Sequence, residues 1–200
     1  MILPTSITSK SYYDFVKDIT PDELYHGLLA YGMFAEKIPP FLSGEAFYQY
    51  SLSLKQPFSD KPHQYIHYES IRDTNVPRLM GIPHPFAYQR LCNCLKEHWV
   101  NICKHFECKT AQQKHKISRI HLRKMKDNPR LFEMNYNGWR SDPSPETDLM
   151  IGKRYLVKAD ISNCFPSIYT HALPWALVGK SVSKTNRNNN KWFNQIDIFA

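Results

Sequence analysis

The chain has 200 residues, 42% of them hydrophobic and 14% aromatic. That is enough apolar material to bury a core in one moderate domain or a pair of subdomains, and too much for a disordered tail. No apolar run reaches the length of a membrane span and "MILPTSITSKSYYDF" lacks the layout of a signal peptide, so a soluble, cytoplasmic protein with no membrane partner is expected.

The net charge of +8 favours a polyanionic partner, with a solvated basic face as the plain alternative. The excess is local: nine Lys or Arg lie between Lys104 and Arg130 against Glu107 and Asp127, and four lie between Lys180 and Lys191 with no acid.

In chain order, Thr20 can cap a helix that opens at Pro21, with Glu23 in its first turn and Leu24, Leu28 and Tyr31 at helical spacing. Pro39-Pro40 interrupts the chain, and a second helix is expected after Ser43-Gly44. The texture then turns to β. Tyr65, His67 and Glu69 alternate with Ile66, Tyr68 and Ser70, "DTN" supplies a turn, and "RLMGIP" returns. This predicts a hairpin with Arg72 and Arg78 flanking its tip.

Pro83 and Pro85 end the hairpin, and one long helix is expected through Leu91, Leu95, Trp99 and Ile102, with those residues as core. Cys92, Cys94, His98 and Cys103 fall on it. Helix positions two apart diverge, so Cys92 and Cys94 are not presented like the paired thiols of a zinc knuckle, and they are read as buried or idle. Residues 110–150 are polar and loop-rich, with "RIHLRKM" readable as strand or helical turn. "RYLVKADIS" is a β-type run ending at Asp160, "THALPWALVGK" a helix and "TNRNNN" a surface loop. "KWFNQIDIFA" is a last helix, with Asp197 as a surface carboxylate.

Asp160 is the residue that bears on chemistry. A carboxylate at the end of an apolar strand is desolvated, and a metal commonly supplies the compensating charge. Two-metal phosphoryl transfer uses such carboxylates to hold two Mg²⁺ ions about 3.5–4 Å apart. One Asp cannot build that site, and from spacing alone an Asp that caps the following turn is the better reading.

The surrounding residues add to this. "VKADISNCFPSIYTHALPWALVGK" resembles motif A of reverse transcriptases, a strand-end Asp followed five places on by an aromatic. The resemblance implies that Asp160 binds both catalytic Mg²⁺ ions and that the backbone carbonyl of Ile161 helps hold one of them. It makes Phe165 a steric gate whose ring fills the space of a ribose 2′-OH. "RLMGIPHPFAYQRLCNCLKEHW" is similar to the fingers segment of bacterial reverse transcriptases, in which two basic hairpin residues grip the incoming triphosphate. Arg72 and Arg78 match that arrangement, and the fork of an arginine suits phosphate oxygens. "GMFAEKIPPFLSGEAF" and "FPSIYTHALPWALVGK" resemble the abortive-infection and defence-associated branch of that family, and together the matches span most of residues 27 to 197.

The implied fold class is α+β, a right-hand polymerase fold: residues 1–60 an N-terminal helical segment, 61–150 fingers, and 151–200 the first strand and helix of the palm. The implied activity is RNA-directed DNA polymerisation from deoxynucleotides in antiviral defence. Its partners are an RNA template or noncoding RNA and the DNA product. Untemplated or protein-primed synthesis and homo-oligomers occur in the same branch. The family also carries two further metal carboxylates in a later Tyr-x-Asp-Asp hairpin, and no Asp-Asp pair occurs here. The chain is therefore read as the N-terminal part of a longer enzyme, inactive alone. A split polymerase completed by a second chain and a noncatalytic nucleic-acid-binding module with a degenerate palm are the alternatives. A polymerase making RNA is disfavoured by Phe165.

Overall fold

In the computed structural model, residues 12–32, 44–54, 61, 63–71, 77–110, 131, 150–157, 167–169 and 171–199 are described. A short helix α1 (Tyr12–Val16) leads to α2 (Pro21–Tyr31), whose start is fixed locally. The Glu23 N–H donates to Thr20 Oγ1 at 3.2 Å and the Thr20 N–H donates back to Glu23 Oε2 at 2.9 Å, a reciprocal capping box. Pro21 occupies the first turn, where its missing N–H costs nothing.

Helix α3 (Gly44–Ser53) begins where the Ser43-Gly44 break predicts and packs against α2. The expected hairpin forms from β1 (Ile66–Ile71) and β2 (Pro77–Ile82), antiparallel, with Ile66 opposite Ile82 and Ser70 opposite Arg78.

The single long helix expected after Pro85 is two helices, α4 (Pro85–Glu97) and α5 (Trp99–His105), followed by a π turn over Phe106–Thr110. The break is at His98, whose φ of −105° and ψ of 9° leave the helical region. Two distant contacts account for it. The His98 Nε2 lies 2.5 Å from Gln195 Oε1, and the neighbouring Trp99 indole N–H donates to the Ile19 carbonyl at 2.7 Å in the interior.

The chain closes with α6 (Ala172–Val178), α7 (Lys180–Thr185) and α8 (Trp192–Phe199). Helix α6 packs on both α7 and α8, and α8 packs on α4. One apolar cluster unites Val16, Ile19, Leu24, Cys94, Trp99, Ile102, Leu131 and Ile196, drawing on sequence from Val16 to Ile196. A second gathers Tyr25, Leu29, Tyr88 and Cys92 between α2 and α4. The described fold is thus mixed α+β, helices with a small two-stranded antiparallel sheet. Among the described residues no helix is long and apolar enough to cross a membrane.

The β-type run before Asp160 behaves differently from expectation in its described part. Residues 155–157 are in no ladder, and Tyr155 and Val157 are 83% and 84% exposed. A strand is stable only with neighbours to accept its hydrogen bonds and cover its side chains, and among the described residues neither β1 nor β2 lies beside this run.

Candidate nucleotide and nucleic-acid site

Of the residues that the sequence nominates, Asp160, Ile161, Phe165 and Arg72 lie outside the described residues. Arg78 lies in β2, opposite Ser70 and one pair from the tip of the ladder. The strand that carries it runs through Gly81-Ile82-Pro83 into the start of α4.

That junction is tightly specified. A Cβ on Gly81 would sit 2.9 Å from Cδ2 of the Tyr65 ring, an exposed side chain just ahead of β1 that would have to shift to admit it. His84 then caps α4, its Nδ1 accepting the Phe86 N–H at 3.2 Å, with Pro85 in the first turn. The His84 ring stacks on His63 with centroids 4.1 Å apart and planes 11° apart, and Phe86 stands edge-on to both. Burial first, and then the nearby His63 and Arg90, push the His84 imidazole below its ordinary pKa. Arg90 reaches back to the Lys61 carbonyl at 3.5 Å. The base of the hairpin is therefore pinned to α4, and α4 to α2 through the Tyr88 hydroxyl, which donates to the Leu28 carbonyl at 2.8 Å.

Asp197 is not the surface carboxylate expected. Its side chain is 13% exposed, and Oδ2 accepts from His171 Nδ1 at 2.7 Å while Oδ1 is buried. The cause is tertiary: α8 packs its face against α6, directly behind His171. Around His171 lies a group that the sequence did not single out. Tyr169 is edge-on to His171 at 5.4 Å and tilted against Trp175 at 5.1 Å, and the Lys180 ammonium sits 4.8 Å from the centre of the Trp175 ring. The signal available was compositional, since no Asp or Glu occurs between Asp160 and Asp197.

Cys92 and Cys94 are buried as expected, while Cys103 is half-buried and Cys108 exposed. Burial raises the Cys92 thiol to about 12 and the Cys94 thiol to about 11, where neither offers a thiolate to a metal. Among the described residues no three His, Cys, Asp or Glu side chains gather where a metal ion could sit. The described part therefore does not by itself fit a Mg²⁺ site, whose expected holders, Asp160 and Ile161, lie outside it. Compared with known proteins, the chain matches no family model, no curated protein and no solved structure.

Proposed function

We propose that the chain is the fingers and the beginning of the palm of a reverse transcriptase of the defence-associated branch. The complete enzyme adds deoxynucleotides to a DNA end, templated by RNA or a noncoding RNA. Asp160 holds the catalytic Mg²⁺ ions, which when bound stabilise the charge developing on the transferred phosphate. Arg72 and Arg78 take the triphosphate, and Phe165 bars the ribose 2′-OH.

One observation carries this reading beyond the motif resemblance. The Arg-x-x-Gly-Ile-Pro segment forms the returning strand of an antiparallel hairpin and enters a capped helix directly. An arginine near a hairpin tip, on a base anchored to the helical core, can close on a polyanion without the scaffold rearranging.

The test is primer extension with Mg²⁺ and deoxynucleotides by the complete polypeptide, with RNA-templated and template-free arms, for wild type and Asp160→Asn. Incorporation that Asp160→Asn abolishes, with folding intact, supports the reading. Incorporation indifferent to that substitution, or none from a polypeptide that carries an Asp-Asp pair, overturns it.

A further inference from the structure

Between Asp160 and Asp197 the chain carries four Lys or Arg and no acid, and a group of aromatic rings, Tyr169, His171 and Trp175, lies within it. Tyr169 is 55% exposed, yet its ring is held on two sides, by the edge-on His171 and the tilted Trp175. His171 is itself anchored by the nearly buried Asp197, which keeps that carboxylate from facing a ligand as a free charge. Trp175 also carries the Lys180 ammonium against its ring, a cation–π contact that orders an otherwise mobile lysine. Lys184, Arg187 and Lys191 follow, all exposed.

We propose that this face, Tyr169 with His171 and Trp175 beside Lys180, binds single-stranded nucleic acid: a base stacks on Tyr169 and the adjoining phosphates run over Lys180 towards α7. The occupant follows from charge and shape together. A pre-ordered aromatic offers a base a stacking surface with little entropy left to lose, and every base has a π-face to present. The acid-free basic stretch demands an anion that repeats along a chain, which a strand of phosphates is. A duplex fits poorly, because its bases are stacked within it and unavailable to Tyr169. The inference does not depend on the polymerase reading, for it invokes neither Asp160 nor a nucleotide.

The test is fluorescence anisotropy of the full chain with labelled oligo(dT) and oligo(U), and with a duplex of equal length, over a salt series without Mg²⁺ or nucleotides. Tyr169→Ala is expected to weaken single-strand binding about tenfold or more while leaving the salt slope unchanged, and Tyr169→Phe to bind like wild type. Lys180→Gln is expected to weaken binding and flatten the slope of log affinity against log salt by about 0.7. Melting curves of the variants establish that each is folded. Wild-type affinity in Tyr169→Ala overturns the proposal, as does an equal loss on the duplex. So does competition by polyglutamate as effective as by oligonucleotide, which would make the face a site for acidic protein.

Discussion

Cys92 and Cys94, two residues apart on α4, are buried in two different apolar clusters: Cys92 with Tyr25, Leu29 and Tyr88, and Cys94 with Val16, Trp99 and Ile196. Successive odd or even positions on a helix point some 200° apart, so α4 divides the interior and each thiol serves one half. Both are held protonated by burial, whereas Cys108 is exposed. Alkylation by iodoacetamide at about pH 8, followed by peptide mapping, should therefore modify Cys108 in the native protein and Cys92 and Cys94 only after denaturation. The linkage has a definite sign. A thiol whose pKa rises from 9.0 to about 12 on folding contributes its full stability below pH 9, and loses it as pH climbs from there towards 12. Alkaline unfolding should be delayed in Cys92→Ala relative to that variant's own neutral-pH stability. Rapid native labelling of Cys92 would overturn this account of the core.

His84 sets the opposite pH dependence. Its Nδ1 caps α4 only while unprotonated, and its neighbours His63, Phe86 and Arg90 include no acid to stabilise a proton. A base whose pKa falls on folding contributes stability above its ordinary value of 6.5, and that contribution is lost as pH falls below it. Wild type should lose melting temperature between pH 7 and pH 5 more steeply than His84→Ser, which keeps a capping oxygen and cannot titrate. Parallel curves for the two proteins would remove His84 as the source.

Gly27 marks a close approach between α2 and Leu131. A Cβ there would overlap the Leu131 side chain at three carbons, and both residues are buried. Alanine favours a helix interior over glycine by about 1 kcal/mol, but forcing a methyl into a filled site costs about 1–3 kcal/mol. Gly27→Ala should therefore be destabilising or at best neutral in urea unfolding, and the double variant with Leu131→Ala should recover part of the loss. A stabilised Gly27→Ala would mean that the site has room.

These cases show which parts of the fold were legible. The starts of α2 and α3 and the hairpin are written in adjacent residues: Thr20-Pro21 with Glu23, Ser43-Gly44, and alternation about "DTN". The break at His98 was not, because its causes, Gln195 and Ile19, are 97 and 80 residues away. For the same reason Asp197 read as a surface residue until α8 was seen packed on α6 with His171 at its edge. The Tyr169–Trp175–Lys180 group was not legible because its members are six and five residues apart and meet only through the turn into α6 and the packing of their rings. The run at Tyr155–Val157 reads as a strand from its side chains, but among the described residues no strand lies beside it, and a strand needs a partner that the local pattern does not name.

On the proposed reading, Arg78 contacts the triphosphate and not the base. Arg78→Ala in the complete enzyme should raise KM for all four deoxynucleotides alike, by about tenfold or more, the worth of a charge-assisted bidentate contact. Arg72→Ala should act in the same direction and more weakly. Steady-state kinetics with each nucleotide in turn decides it. A defect confined to one base would move these side chains to the template path.

Phe165 gives the sharpest test, because a steric gate and a core aromatic respond differently to truncation. If the ring fills the volume beside the sugar, Phe165→Ala and Phe165→Val open that volume while leaving Asp160, the proposed metal holder, in place. Ribonucleotide use should then rise relative to deoxynucleotide use. The gain should stay near ten- to a hundredfold in the ratio of kcat/KM values, because an emptied apolar pocket accepts a hydroxyl without offering it a hydrogen-bond partner. Valine should admit less than alanine, in proportion to the space it leaves. A core aromatic would instead lose stability and activity with both sugars together, leaving the ratio unchanged. Competition between matched deoxy- and ribonucleoside triphosphates on one primer, with melting temperatures taken in parallel, separates the two. An unchanged ratio in a folded, active Phe165→Ala would sink the gate.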